Sequence, residues 1–147
     1  QASGQEVAGW LSPARSESEN TLDLIAAEGI QYVCDWNNDD MPYALNTTHG
    51  TIYSMPHSHE IDDLTIMLNY HHSEQSFVDQ VKDQFDFLYR EAAEAGGRIM
   101  AVTIHPWMSG QPHRIKSILW IIDDAGKQDP AFMHVQPHLK KKMGIRI

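Results

Sequence analysis

The sequence predicts an α/β fold in which a parallel sheet is covered by helices. Helical and extended patterns alternate along the chain, and polar, titratable segments follow directly on the apolar extended ones. In sheets and barrels of this class, chemistry gathers in the loops beyond the carboxyl ends of the strands.

The elements follow in order. Asn20 stands where an N-cap belongs, before a helix carrying Leu22, Leu24, Ile25 and Ala26, and Gly29 is placed to close that helix as its C′ residue. Residues 30–34 read as a buried strand. Residues 37–42 are polar and structure-breaking, hence a loop, and residues 51–55 form a second short strand stopped by Pro56. A short helix is expected over 62–72. Ser73 or Ser76 then caps a long helix with Phe77, Val81, Phe85, Leu88 and Ala92 on one face, ended by Gly96-Gly97. Residues 99–104, apolar and partly β-branched, predict a strand halted by Pro106. Pro112 begins a helix carrying Ile115, Ile118, Leu119 and Ile122, and residues 132–135 read as one last strand.

A length of 147 residues suits one domain, and 41% hydrophobic with 21% charged residues excludes a disordered chain. The net charge of −9 argues against nucleic acid as a partner. The basic run Lys140-Lys141-Lys142 reads as a solvated tail. A single cysteine, Cys34, excludes an internal disulfide and suits a reducing compartment. No apolar run approaches the ~18 residues of a membrane span, and no charged-then-apolar leader precedes the first element. The chain therefore reads as cytoplasmic, with no membrane partner. Without a starting Met it is expected to be trimmed or cut from something longer. Asn46-Thr47-Thr48 matches a glycosylation acceptor over three residues only and is read as chance.

Three segments lie beyond predicted strands. In Thr103-Ile104-His105-Pro106-Trp107, an imidazole stands directly after an apolar strand, where it can act as general acid or base near neutral pH. It can equally cap the strand by bonding backbone. Trp107 can wall a pocket. In residues 34–40, Asp35 sits nearest the strand and can orient a histidine or polarise a catalytic group, with Trp36 beside it. Asn37 and Asn38 read as loop formers that bond their own backbone. In residues 56–63, His57 and His59 share a face when the chain is extended and can chelate a metal, with Glu60 or Asp62 completing the set. The adjacent His71 and His72 diverge on a helix and make poor joint ligands. The turn-rich segment around Trp10 contains Arg15, which can bind a carboxylate of the site or of a substrate. Cys34 lies in an apolar strand without a clear base, a poor setting for a nucleophile.

Taken together, GWLSP (9–13), NTLDLIAAEGIQYVCDWNNDDMPY (20–43), SMPHSHEIDD (54–63), HHSEQSFVDQVKDQFDFLYREA (71–92) and IHPWMSGQPHR (104–114) resemble the polysaccharide-deacetylase (NodB-type) family, in its allantoinase-like and cyclic-imide-hydrolase-like branch. The resemblance implies the C-terminal part of an incomplete (β/α)7 barrel over residues 1–130, followed by an atypical basic tail over 131–147. It implies hydrolysis of a non-peptide C–N bond, either deacetylation of an N-acetyl sugar or opening of a cyclic amide or imide. His105 would be the general acid and Asp35 the residue that orients or tunes it, while Trp10, Arg15, Trp36, Glu60, Asp62 and Trp107 would contact substrate. In the complete domain a divalent metal, zinc, is implied. The family's early paired-Asp and His-x-x-x-His segments do not occur ahead of these motifs in the sequence, and His57 and Asp62 replace a Tyr and an Asn of the family pattern.

A half-barrel exposes strand edges and apolar faces, so the implied partners besides substrate are a missing N-terminal half or a second copy. Two rival readings stand beside the enzyme: a catalytically incomplete fragment, stable only when self-associated or complemented, and a metal-binding module built on His57, His59 and a carboxylate.

Overall fold

Ile25, Ile30, Val33 and Ile52 form one apolar cluster, with Leu22, Ala26 and Leu45 packed against it. It is the core of the first of two compact units in the computed structural model, which describes residue 4, residues 7–119 and residue 121. This unit comprises Gln1–His59 with Leu88–Val102; the second comprises Glu60–Phe87 with Thr103–Ile147.

In the first unit, helix α1 spans Thr21–Ala27. Its end follows from Gly29, which adopts φ 82°. The Gly29 N–H donates to the Ala26 carbonyl (3.0 Å) and the Ile30 N–H to the Ile25 carbonyl (3.0 Å). This is the paired Schellman closure, with Ile25 and Ile30 as its apolar contact. The start differs from expectation. Asn20 makes no side-chain cap bond; instead the Ser18 N–H donates to Thr21 Oγ1 (2.8 Å), and the Thr21 N–H donates to the Ser18 carbonyl (3.0 Å). Thr21 reaches back to the chain entering the helix, much as the distal residue of a capping box does.

Four strands form one sheet in the order β1-β2-β4-β3: β1 Gly9–Trp10, β2 Tyr32–Val33, β3 Tyr43–Thr47 and β4 Gly50–Ser54. The β1–β2 and β2–β4 pairs are parallel, as the alternation predicts. β3 was not foreseen, and it pairs antiparallel with β4. One sheet face carries Val33, Ile52 and Ser54, all buried. The other carries the register neighbours Tyr32 and Tyr53, exposed to 38% and 50%. Gly9 lies under the Tyr32 ring: a Cβ there would fall 2.2 Å from the ring, so a larger residue would require the exposed Tyr32 side chain to shift.

In the second unit, Asp62 bridges Thr103 in parallel, and the Asp63 N–H donates to the Thr103 carbonyl (3.2 Å). The helix expected over 62–72 is a π-helical turn, Leu64–Asn69, followed by His71 at φ 56°. Helix α2 spans Glu74–Ala95 and contributes residues to both units. Phe77, Val78, Val81 and Leu88 are its buried residues, while Phe85 and Ala92 of the expected face are partly buried. Gly96, at φ 96°, follows its end as predicted. Helix α3 is the short Pro106–Ser109 segment, and residues 115–119 are helical.

The strand expected over 99–104 is corrected. Its only strand-type pairing among the described residues is the Thr103 bridge, because an apolar run becomes a strand only where a neighbour completes its ladder. Ile122, the strand at 132–135 and the tail at 131–147 lie outside the described residues. Among the described residues no helix is long and apolar enough to cross a membrane.

Ile52 is 2% exposed and Leu24 63%. Ile52→Ala should therefore cost about 2–5 kcal/mol in urea unfolding, and Leu24→Ala less than about 0.5 kcal/mol.

Candidate active site

His105 immediately precedes α3 and Asp63 immediately precedes the π-helical turn. Their backbones are brought near by the bridge at Thr103. Asp63 has no exposed surface. An ionised carboxylate in that position needs donors on its oxygens, and three arrive. The His105 N–H donates to Oδ2 (2.8 Å), the Ser109 hydroxyl donates to the same oxygen, and His105 Nδ1 lies 2.6 Å from Oδ1. With an ionised carboxylate as acceptor, Nδ1 carries the proton. That leaves Nε2, which has no hydrogen-bond partner among the described residues, on a side chain that is 31% exposed. Trp107 stands edge-on to the imidazole with centroids 6.0 Å apart, and is itself exposed. A ring held at one nitrogen by a buried carboxylate and open at the other is arranged for proton transfer.

Asp62 lies beside this pair. Its Oδ1 is 4.0 Å from His105 Nδ1 and accepts the Thr65 N–H at 2.9 Å. Asp62, Asp63 and His105 offer ligand atoms within 4.8 Å of one another, and among the described residues they are the set that could reach one cation. Their present geometry fits a proton better. Neighbouring ligands of a tetrahedral zinc stand roughly 3.3 Å apart, given Zn–N and Zn–O distances of about 2.0–2.2 Å, whereas Nδ1 and Oδ1 are 2.6 Å apart. Oδ2 of Asp63 is also fully engaged.

The other predicted residues fall as follows. The sequence led us to expect that Asp35 orients His105; in the structure Asp63 is the carboxylate on that ring. Asp35, 9% exposed, has both oxygens on Ser12: Oδ1 accepts the N–H (2.7 Å) and Oδ2 the hydroxyl (2.6 Å). Trp10 Nε1 donates to Ser12 Oγ (2.9 Å), and Trp36 Nε1 donates to Glu17. Arg15 Nη2 reaches His57 Nδ1 (3.0 Å) and the Ser58 carbonyl (3.3 Å). Glu60 and His59 are exposed, and no three-residue ligand set among the described residues includes His57 or His59. In the 37–42 loop, Asp39 Oδ1 accepts the Met41 N–H (2.9 Å) and Asn38 Oδ1 accepts the Tyr43 hydroxyl (2.9 Å), the local bonding expected of loop formers.

Asp63 and Ser109 were not singled out from the sequence. Nothing in the sequence set Asp63 apart from the adjacent Asp62, since both are buried, at 0% and 6% exposed. Ser109, four residues past His105 in a short helical turn, carried no signal.

No protein-family model matches the sequence, and no curated protein matches it. Solved structures do. The chain is similar to Puue allantoinase (25% identity, TM-score 0.74) and to a probable polysaccharide deacetylase from Pseudomonas aeruginosa PAO1 (25%, 0.73), each over 91% of this chain and 48% of the other. A putative polysaccharide deacetylase from Mycobacterium smegmatis matches at 21% identity and TM-score 0.64, over 80% of this chain and 42% of the other. The resemblance to a NodB-type deacetylase and allantoinase branch is thus carried by the fold. These neighbours are incomplete (β/α)7 barrels, and the chain spans about half their length.

Three outcomes follow from this geometry. Ser109→Ala leaves the buried Asp63 short of a donor and should cost about 1–3 kcal/mol in urea unfolding. The double variant His57→Ala/His59→Ala should leave zinc affinity in isothermal titration unchanged. Burial, and secondarily the charge of Asp35, push the Cys34 thiol above its ordinary pKa, so iodoacetamide should label Cys34 slowly at pH 7 and faster as pH rises.

Proposed function

We propose that the protein to which this chain contributes hydrolyses a non-peptide carbon–nitrogen bond, in an N-acetyl amide of a sugar or a cyclic amide or imide, and that this chain supplies the general acid, His105. The observation that carries the reading is the Asp63–His105 pair, with Nδ1 fixed and Nε2 open. The allantoinase and deacetylase neighbours support the hydrolase class.

In this reading His105 carries a proton on Nε2 when substrate binds. Water adds to the carbonyl carbon and loses a proton to solvent or to a base of the complete domain; as the C–N bond then breaks, the Nε2 proton passes to the departing nitrogen, which leaves as the neutral amine or amide. The neutral imidazole is held by Asp63 in the tautomer with hydrogen on Nδ1, so Nε2 is the position reprotonated from water for the next turnover. Ser109 and the His105 N–H hold Asp63 in turn. Trp107 forms a wall beside the ring. We assign Glu60, Asp62 and Trp107 of the second unit to substrate contact in the complete domain. The 2.6 Å separation of Asp63 Oδ1 and His105 Nδ1 suits a shared proton rather than a metal ion held by both atoms. A single cysteine, which can form no internal disulfide, suits a reducing, cytoplasmic setting.

A second reading rests on length and on one edge. The chain spans about half of the solved structures it matches, and among the described residues β1 borders the sheet with β2 alone beside it. On that reading the chain is catalytically incomplete, and is stable when complemented by the other half of a barrel or by a second copy. Turnover of chitooligosaccharides or hydantoin by the purified chain alone, with a monomeric sedimentation profile, would exclude it.

In the complete, active protein, His105→Ala should lower kcat by about 10²-fold or more, and Asp63→Asn by about 10-fold or more through loss of ring orientation. Near-normal turnover of His105→Ala would refute the general-acid assignment.

A further inference from the structure

We infer that Gly110 is a positioning residue for His105: its missing side chain lets the turn after His105 close tightly enough to fix which ring nitrogen carries the proton. The inference deepens the general-acid reading and rests on it. His105 is extended, at φ −99° and ψ 104°, the backbone that a following proline imposes. Pro106 has its own φ fixed by its ring. The His105 carbonyl accepts the Met108 and Ser109 N–H groups (2.9 Å each), and the Pro106 carbonyl accepts the Gly110 N–H (3.0 Å). One turn is thereby closed on itself. Met108 and Ser109 are 3% and 1% exposed, so the turn ends facing inward, and there the Ser109 hydroxyl meets Asp63 Oδ2.

Gly110 ends this turn at φ −79°, a conformation open to any residue. Its demand is for space. A Cβ there would overlap the Pro106 carbonyl oxygen and lie 3.3 Å from the carbonyl carbon and 3.5 Å from the Cα. These are backbone atoms, whereas the Tyr32 ring above Gly9 is a side chain that can turn aside. At Gly110 the turn itself has to open. The overlap sits between Pro106, which follows His105, and Gly110, which follows Ser109. Opening it draws the His105 and Ser109 donors apart, and both serve a carboxylate with no exposed surface. The imidazole then loses the fixed acceptor that keeps the proton on Nδ1. Gly110 thus acts on the ring through Pro106 and Ser109.

The test reads the ring and not turnover. ¹⁵N NMR of the whole chain, at a pH where the imidazole is neutral, reports which ring nitrogen of His105 is protonated. Wild type should show the proton on Nδ1. Gly110→Ala should shift the ring to a mixture in which the Nε2-protonated form is populated. Val81→Ala removes buried side-chain volume on α2 in the same unit; it should lower Tm and leave the wild-type tautomer in place. Pro106→Ala frees the other end of the contact and should move the tautomer in the same direction as Gly110→Ala. The inference is overturned if folded Gly110→Ala keeps the wild-type tautomer, if Val81→Ala disturbs it equally, or, should Gly110→Ala fail to fold, if Pro106→Ala keeps it. Turnover of His105→Ala in the complete protein bears on the acid assignment alone, so the two can fail separately.

Discussion

Asp63 is a carboxylate with no exposed surface, and the second unit is organised around meeting its need for donors. An unpaired charge in that place would be among the most destabilising features a small domain could carry. The three donors come from a single stretch, the backbone and ring of His105 and the hydroxyl of Ser109. The short helix α3 is what brings the last of these round to the same oxygen as the first. Fixing the carboxylate and fixing the imidazole are therefore one event. Any change that loosens α3 alters the ring's orientation as well as local stability.

The first unit repeats the device with a different outcome. Asp35 is also buried and also takes an N–H and a hydroxyl from one residue, Ser12. Its oxygens hold a turn in place, and that turn carries Arg15, whose guanidinium reaches His57 and the Ser58 carbonyl. Glu74 belongs to a milder class. Its own backbone N–H at the start of α2, and then Arg114, lower its pKa. Its contribution is present above the ordinary glutamate pKa and lost as pH falls through the lowered one. That glutamate is well exposed, so the contribution is small.

What was legible in the sequence divides along physical lines. Gly29 marked the end of α1 because a left-handed C′ position is a local demand that one residue type meets best. The long amphipathic helix was legible for the same reason, since its period is local. The β3–β4 hairpin was hidden because its turn, Thr48-His49, lacks the Asn-Gly or Asp-Gly signal; it is held by Thr47 Oγ1 on the Gly50 carbonyl (2.7 Å) and by Asp23 on the Thr48 N–H (2.7 Å). The 99–104 run looked like a strand because composition does not reveal whether a neighbour is there to pair with. His105 could be singled out from its place after an apolar run, whereas its partner could not: Asp35, Asp62 and Asp63 are all buried, and only the fold decides which of them meets the ring.

The π-helical turn at Leu64–Asn69 has an implication of its own. Its closing bond runs from the Tyr70 N–H to the Thr65 carbonyl at 3.0 Å, a span of five residues where an α-helix uses four. Such a turn is an α-helix with one residue too many. Deleting a single residue there would restore ordinary winding and turn everything downstream by about 100° relative to Asp63. The surplus residue thus acts as a spacer, so that drift in the length of this segment is constrained even at positions where its side chains face water.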